Sequence, residues 1–312
     1  MQVQRFLIAL LLTTGLFSDA EASSMMHYSQ TLPKQTHQWL VQAWSENLVQ
    51  QTLDRSVDRH LGGQTMTLGL HYHYGLSDKW TLGLVQNLIY RNELMNFNDA
   101  GNTFSLNLAA QGRADAEVLA QYALFRGANR RWTAFSHLFL PTGDRTTGIP
   151  ERYINGLKVQ DGIPAGPGSD RATGWFGLAW SVQDEDLFGE VAGYWYYPGF
   201  INDTSGSTVL GQDYAGLHAS GLFRANRRVS LGLSARIDYI FGYTLPGVEH
   251  SAYMVVDVKG VIEFDIMPGY VLRLDSGPKD TFHRIVYYDD GSTLQDLKRT
   301  RFRSMLTLIY TP

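Results

Sequence analysis

Charged side chains that recur at every second position are the residues of this chain with the clearest potential for chemistry. They lie in pairs on four successive segments near the C-terminus: Arg236 and Asp238, Asp257 and Lys259, Arg273 and Asp275, and Arg301 and Arg303. Side chains two positions apart in an extended strand point to the same side, so both members of a pair share one face, which Glu263 joins. Rings of charged side chains set the selectivity of a pore. The alternative is a ladder of salt bridges that only fills and stiffens the structure.

Histidines and serines offer weaker candidates for chemistry. His71 and His73 share one face of a segment, and with His137 or His218 they could bind a metal ion. The simpler interpretation, which we favour, is a hydrated interior that accepts any polar residue. Ser136 and His137 are adjacent, but neighbours in a strand point to opposite sides. The chain has no G-x-S-x-G, H-E-x-x-H or glycine-rich phosphate motif, so we predict no catalytic residues, no metal site, no cofactor and no enzymatic activity.

The N-terminal residues have the layout of a secretory signal peptide. Arg5 precedes an apolar run from Phe6 to Leu16, and Ala20-Glu21-Ala22 is a cleavage signal of the A-x-A type. The run is shorter than the about 20 apolar residues that a membrane anchor needs. We therefore predict a signal peptide over residues 1–22 and a periplasmic N-terminal segment over residues 23–36.

The composition indicates a membrane protein without membrane-spanning helices. Charged residues make up 18% of the chain and aromatic residues 12%, whereas about 25% charged residues is usual in soluble proteins. After the signal peptide, no apolar run approaches the about 18 residues of a membrane-spanning helix. The net charge of −4 argues against nucleic acid as a partner, and the absence of cysteine excludes disulfides and thiolate metal sites. A closed β-barrel is the other structure that can span a bilayer.

Alternation of apolar and polar residues predicts the strands of such a barrel. In "WTLGLVQNLIYR" (80–91), "VSLGLSARIDYIF" (229–241) and "MVVDVKGVIEF" (254–264), apolar and polar residues occupy opposite faces, which is typical of strands between lipid and lumen. Candidate strands lie near 37–48, 64–75, 80–91, 114–125, 132–141, 172–182, 187–197, 214–223, 229–242, 251–265, 269–276 and 299–310.

The connections between these strands alternate between tight turns and long loops. The turns are "GLSD", "RGANRR", "QDED", "RANRR" and "IMP", and the loops cover 49–63, 92–113, 142–171, 198–213, 243–250 and 277–298. Bacterial outer-membrane barrels place short turns in the periplasm and long loops outside the cell. We therefore predict an all-β, antiparallel up-and-down transmembrane β-barrel of about 12 strands over residues 37–312, with both termini in the periplasm.

The order of five segments resembles a family of outer-membrane barrels. The segments are "YGLSDKWTLGL" (74–84), "RADAEVLAQYALF" (113–125), "FLPTGD" (139–144), "GPGS" (166–169) and "FGEVAGYWYYPG" (188–199). They are similar to the meta-pathway phenol degradation family, whose members are often called transporter-like, over roughly residues 64–245. The resemblance implies an uptake role for small compounds, aromatic ones among them, and provides no catalytic residues.

These observations lead to a channel or transporter of the bacterial outer membrane for passive uptake of small solutes. The alternatives are a structural or adhesive surface barrel whose lumen is plugged by salt bridges and, with less support, an outer-membrane enzyme that acts on lipids. We expect the partners to be outer-membrane lipid and lipopolysaccharide, the outer-membrane assembly machinery and a small-molecule solute.

Overall fold

The computed structural model describes residues 28–53, 59–99, 102–144, 149–154, 157–159, 172–197, 200–202, 208–210, 213–245, 248–288 and 293–312. The predicted signal peptide lies outside these residues. Within them the chain forms nineteen strands: β1 His37–Leu53, β2 Arg59–Gly75, β3 Trp80–Asp99, β4 Asn102–Arg113, β5 Ala116–Arg126, β6 Arg130–Leu140, β7 Ile149–Ile154, β8 Leu157–Val159, β9 Thr173–Gln183, β10 Leu187–Tyr197, β11 Phe200–Asn202, β12 Thr208–Leu210, β13 Tyr214–Asn226, β14 Val229–Ile240, β15 Tyr243–Leu245, β16 Val248–His250, β17 Tyr253–Met267, β18 Tyr270–Tyr288 and β19 Thr293–Tyr310. No helix among the described residues is long and apolar enough to cross a membrane.

Twelve of these strands form a closed antiparallel barrel, which confirms the predicted fold. In order around the wall they are β1, β2, β3, β5, β6, β9, β10, β13, β14, β17, β18 and β19. The first and last strands close the wall, because Gln42 of β1 pairs with Gly69 of β2 on one side and with Thr307 of β19 on the other. Since every strand has two neighbours, the wall has no free edge, which a sheet in lipid requires.

The two faces of the wall are chemically distinct. The most exposed large apolar side chains belong to the predicted outer faces, among them Leu217 (61% exposed) and Leu233 (66% exposed). Ser234 and Asp238 of the same strand as Leu233 are buried inside the barrel. The predicted alternation of β14 is therefore confirmed. Two groups of outward aromatic side chains fit the two girdles of a membrane barrel: Trp80, Phe125, Trp132 and Phe223 near the tight turns, and Tyr90, Trp195, Tyr197 and Tyr239 toward the other end. Tyr270, at the start of β18, is instead buried and stacks on Tyr310.

Several strands are longer than the sequence indicates. Strand β3, expected to end near residue 91, continues to Asp99 and pairs there with β4, and β18 continues to Tyr288 against β19. The predicted loop 142–171 contains β7 and β8. The apolar alternation marks only the part of a strand that faces lipid, whereas ladder hydrogen bonds continue wherever two strands remain adjacent. The long connections are thus partly extensions of the wall.

The segment Pro141–Asp144 folds back onto the junction between β4 and β5. The backbone amide of Ala116 donates to Thr142 Oγ1 (2.9 Å), and that of Gly143 donates to Asp115 Oδ1 (2.9 Å). The amide and guanidinium of Arg113 donate to the carboxylate of Asp144 (2.8 and 3.1 Å), which lowers the pKa of Asp144. The segment therefore holds together β4 and β5, which both pair with β3 and follow each other along it.

Residues 28–36, which precede β1, lie inside the barrel at the end with the tight turns. Ser29 and Leu32 are each only 1% exposed. The amide of Leu32 donates to Thr81 Oγ1 of β3 (2.7 Å), and Thr133 Oγ1 of β6 donates to the carbonyl of Ser29 (2.7 Å). Because Thr81 and Thr133 are fully buried on the inner face of the wall, the segment occupies the lumen. We call residues 28–36 the luminal segment.

Candidate functional site in the barrel lumen

The inner face of the barrel is divided into a charged wall and an aromatic wall. The charged wall comprises β14, β17, β18, β19 and β1, and it carries all eight charged residues that the sequence singles out. The aromatic wall comprises β6, β9, β10 and β13, whose inward rings include Phe135, Trp175, Tyr194 and Tyr214. The luminal segment lies against the aromatic wall. A solute in the lumen would therefore meet ion pairs on one side and rings on the other.

Glu46 of β1 is the central acceptor of the charged wall. Arg301 Nη1 donates to Glu46 Oε1 (2.8 Å), and Arg303 Nη2 donates to Glu46 Oε2 (2.5 Å). Lys279 Nζ lies 3.7 Å from the same carboxylate, whose side chain is only 5% exposed. Alternation along β1 places Glu46 on the inner face, but its partner arginines lie more than 200 residues away along the chain, so the sequence does not reveal the pairing.

Asp257 connects this cluster to the next strand. Lys259 Nζ lies 3.0 Å from Asp257 Oδ2, and Arg303 Nη1 lies 3.4 Å from the same oxygen. The guanidinium of Arg303 also lies over the ring of Trp44, 4.9 Å from its centroid, which is the geometry of a cation–π contact. Arg303 thus bridges two acids and an aromatic ring, and Asp257, Lys259, Arg301 and Arg303 lie together in one cluster.

A second group of charges lies nearer the tight turns. Arg273 donates to Asp275 through Nε and Nη2, both at 2.8 Å, and to Glu263 Oε1 through Nη1 at 3.0 Å. The side chains of Arg273 and Asp275 are only 6% and 2% exposed. A buried guanidinium with two carboxylate partners is well satisfied, so this group resembles a structural ion pair more than a surface open to solutes.

The remaining predicted pair, Arg236 and Asp238, belongs to the boundary with the aromatic wall. Arg236 Nε donates to both carboxylate oxygens of Asp238 (2.8 and 3.1 Å). Its guanidinium lies 5.6 Å from the ring centroid of Trp175 and 5.2 Å from that of Tyr194. The Tyr194 hydroxyl hydrogen-bonds to Asp238 from two strands away. Arg236 therefore joins the two walls electrostatically.

Tyr194 reaches Asp238 because the residue between them is glycine. Gly216 of β13 pairs with Tyr194 on one side and with Asp238 on the other. A Cβ atom at position 216 would overlap the ring of Tyr194. The absence of a side chain lets the ring lie flat across β13, and a similar space at Gly177 accommodates Phe135.

The aromatic wall surrounds the ring of Tyr28, the first described residue of the luminal segment. The Tyr28 ring stacks on Phe135 with a centroid distance of 4.6 Å and an interplanar angle of 24°. It makes edge contacts with His218 at 5.4 Å and Trp175 at 5.9 Å. Neither the position of Tyr28 nor its aromatic surroundings follow from strand alternation, because this segment is not a strand.

Hydrogen bonds to side chains hold the luminal segment in place. The amide and hydroxyl of Ser29 donate to Glu190 Oε2 (2.8 and 2.5 Å), and Gln121 Nε2 donates to the carbonyl of Tyr28 (3.4 Å). Arg126 donates to the carbonyl of Thr31 (3.3 Å). Backbone bonds join only the end of the segment to the wall, from the Gln35 amide to the Gly75 carbonyl (2.7 Å) and from the Gly75 amide to the Thr36 carbonyl (2.9 Å). Residues 28–36 form no strand, so the segment is docked in the lumen without being a strand of the wall.

The histidines on the inner face do not gather around a common point. The rings of His71 and His73 stack with centroids 6.3 Å apart, and His137 Nδ1 pairs with Glu117. His218 Nε2 bonds to Ser234 Oγ (3.0 Å). The described residues contain no group of three or more His, Cys, Asp or Glu arranged for a metal ion. Ser136 faces outward while His137 is buried inside, so this pair is not arranged as a nucleophile and its base.

This closed barrel, apolar outside and polar inside, has the architecture of outer-membrane proteins. The chain matches no family model and no curated protein sequence, so the family named above stays a resemblance. It is similar in structure to an outer-membrane channel from Pseudomonas putida F1, with 15% identity, a TM-score of 0.60, and coverage of 94% of this chain and 100% of that chain. That likeness shows a shared fold. The toluene transporter TbuX of Ralstonia pickettii matches with 8% identity, a TM-score of 0.46 and 95% coverage of each chain, which is too distant to carry an argument.

Proposed function

We propose that the protein is a channel of the bacterial outer membrane for passive uptake of small solutes. The observation that carries this proposal is the placement of the chain's polar and aromatic groups on the inner face of a closed wall whose outer face is apolar. Water-filled or solute-binding interiors of outer-membrane barrels are polar in this way. The charged wall would set ionic selectivity and the aromatic wall would favour solutes with apolar rings.

Removal of the luminal segment tests the proposed channel function. Because residues 28–36 occupy the lumen, we expect purified full-length protein to show low conductance in planar bilayers. A variant that lacks residues 23–36 should show a several-fold higher conductance and faster liposome swelling with small sugars. A matched variant with residues 23–27 removed keeps the segment and should behave like the full chain. Absence of conductance and solute flux in all three proteins would refute a channel.

A structural barrel with a permanently filled lumen is the second candidate. The ion pairs of Arg273 and the docked segment favour it, because both fill space inside the wall. This candidate predicts that removal of the segment leaves the lumen closed. Conductance that stays absent without the segment but appears when Arg301 or Arg303 is replaced by a small neutral residue would identify the ion pairs as the plug.

Location and orientation form part of the same proposal. We propose that the apolar outer face contacts outer-membrane lipid and lipopolysaccharide, that the outer-membrane assembly machinery inserts the chain, and that the tight turns face the periplasm. The chain has no cysteine, so single cysteines can be introduced at Ser251, between β16 and β17, and at Asn129, in the turn between β5 and β6. On intact cells an impermeant maleimide should label position 251 and not position 129. The reverse pattern would overturn the orientation.

A further inference from the structure

We propose that the aromatic wall contains a binding site for a phenolic ring and that Tyr28 is the resident occupant of this site. The site is the space between Phe135, His137, Trp175, Tyr194 and His218, which we call the ring site. The inference rests on the proposed channel function, because it names the class of solute that the lumen selects.

The side chain of Tyr28 shows what the ring site accommodates. Its ring is stacked on Phe135 and approached edge-on by His218 and Trp175, with interplanar angles of 24°, 81° and 73°. Offset-stacked and edge-to-face arrangements are the favourable geometries of aromatic pairs. The site therefore has the walls that a six-membered aromatic ring prefers, and the ring in it is a phenol.

The ring site is built from contacts among its walls that do not involve Tyr28. The ring centroids of His137 and Trp175 are 4.5 Å apart, and those of Trp175 and Tyr194 are 5.5 Å apart at an angle of 75°. Tyr194 is fixed by its hydrogen bond to Asp238, and Gly177 leaves the space that Phe135 fills. The site should therefore persist when Tyr28 leaves it.

Three buried side-chain nitrogens of the ring site have no hydrogen-bond partner among the described residues. They are Nε1 of Trp175, Nε2 of His137 and Nδ1 of His218, and the last lies 3.5 Å from Glu190 Oε1. The imidazole of His137 is oriented by its bond from Nδ1 to Glu117, which leaves Nε2 directed away from that carboxylate. The indole N–H can only donate, whereas a hydroxyl can both donate and accept. These nitrogens lack a partner while the Tyr28 ring occupies the site, so its tethered hydroxyl does not bond to them. A free phenol can turn its hydroxyl toward them, whereas benzene or toluene would leave them unpaired, and unpaired buried groups are unfavourable.

Tyr28 can be exchanged for a free ligand because the part of the luminal segment around it is docked through side chains, whereas backbone bonds to Gly75 of β2 involve only Gln35 and Thr36 at its other end. Its bonds to Glu190, Gln121 and Thr133 can break one after another without opening the strand ladder of the wall. A ring tethered to the barrel has a high effective concentration. A free phenol should therefore bind the full chain weakly and bind a chain without the Tyr28 ring more tightly.

The test uses p-cresol (4-methylphenol), the side-chain analogue of tyrosine, with purified protein in detergent. Equilibrium dialysis against radiolabelled ligand, corrected with empty micelles, should show at least about tenfold tighter binding to Tyr28→Ala than to the full chain. Toluene lacks the hydroxyl and 4-methylcyclohexanol lacks the aromatic ring. Both should bind Tyr28→Ala at least about fivefold more weakly than p-cresol does.

A matched pair of tryptophan variants locates the binding. In the Tyr28→Ala background, Trp175→Phe keeps a ring but removes Nε1 and should weaken p-cresol binding about fivefold. Trp132→Phe changes an exposed tryptophan of the outer face and should leave the binding unchanged. Equal effects of the two variants, or equal binding of all three ligands, would overturn the ring site, since binding would then be general partition into apolar surface.

A second variant covers the case of misfolding, and binding can be measured independently of transport. If Tyr28→Ala fails to fold, as judged by heat-modifiable migration in electrophoresis, Tyr28→Leu provides apolar volume without a ring and makes the same prediction. Binding in detergent does not require transport. Binding of p-cresol without conductance would therefore refute the channel alone, whereas conductance without p-cresol binding to either Tyr28 variant would refute the ring site alone.

Discussion

Replacing Leu233 with arginine should destabilise the barrel more than a charge at almost any other position of β14. Leu233 is 66% exposed on the outer face and lies four residues beyond Val229 at the turn end of the strand. At about 3.3 Å per residue and a strand tilt of about 40°, it lies about 10 Å above that end, near the centre of an apolar band about 25 Å tall. Its cross-strand neighbours are Gly221 and Gly260.

The two neighbouring glycines determine how strongly Leu233→Arg destabilises the barrel. An arginine at the midplane costs about 2–4 kcal/mol when it faces lipid. Because Gly221 and Gly260 have no side chains, neither can provide a polar partner for the guanidinium, so we expect a loss near the upper end of this range. At about 1.4 kcal/mol per tenfold, this range corresponds to a fall of about 30-fold to 700-fold in the ratio of folded to unfolded protein, and we expect a fall near the larger figure.

Equilibrium unfolding in guanidinium chloride from lipid vesicles measures this loss. Two arginine variants provide controls. Val229→Arg is on the same face at the turn end and should lose about 0–1 kcal/mol, and Ser230→Arg faces the lumen opposite Glu263 and should fold normally. A Leu233→Arg protein as stable as both controls would mean that this face of β14 does not contact lipid, and the membrane assignment would be wrong there.

Two further variants test the charged and aromatic walls. Glu46→Gln removes the acid shared by two arginines and a lysine. We expect the free energy of unfolding to fall by up to about 3 kcal/mol, a value limited by the partial exposure of the cations. The reversal potential across a KCl gradient should shift toward anion selectivity. An unchanged reversal potential would mean that the charged wall does not determine ion selectivity. Gly216→Ala places a methyl group where the Tyr194 ring lies and should cost about 1–3 kcal/mol in guanidinium unfolding. Gly221→Ala on the same strand meets only the Phe188 carbonyl oxygen, at 3.9 Å, and should cost nothing measurable; equal losses would contradict the proposed ring packing.

The course of the barrel wall could be predicted from the sequence because lipid imposes a strict rule. Every membrane strand must alternate between oily and polar sides, and "VSLGLSARIDYIF" follows that rule so closely that Leu233 and Ser234 could be assigned to opposite faces. The ends of the strands obey no such rule. Beyond the apolar band alternation is no longer required, so the continuation of β3 to Asp99 left no periodic signal.

The candidate site was predictable only in part. Alternation placed Arg301 and Arg303 in the lumen, but the identity of their acid depends on the pairing of β1 with β19, which local sequence does not encode. Tyr28 could not be placed at all, because an irregular segment has neither period nor register. Trp175 and Tyr194 are detectable in the sequence, because large rings at the inward, normally polar positions of a barrel strand are exceptions to the alternation.

The pairing of β1 with β19 also has a consequence for the order of assembly. Glu46 and Arg303 are 257 residues apart and meet only across this seam. Before the last strand arrives, Glu46 has no arginine beside it, and Arg301 and Arg303 lack this acid; buried charges without partners are strongly unfavourable. Contacts between distant parts of a chain also form late, because a long loop must close first. Closure of the wall and neutralisation of these charges are therefore one event, so an intermediate that has all strands except β19 in place gains none of the stability of the seam.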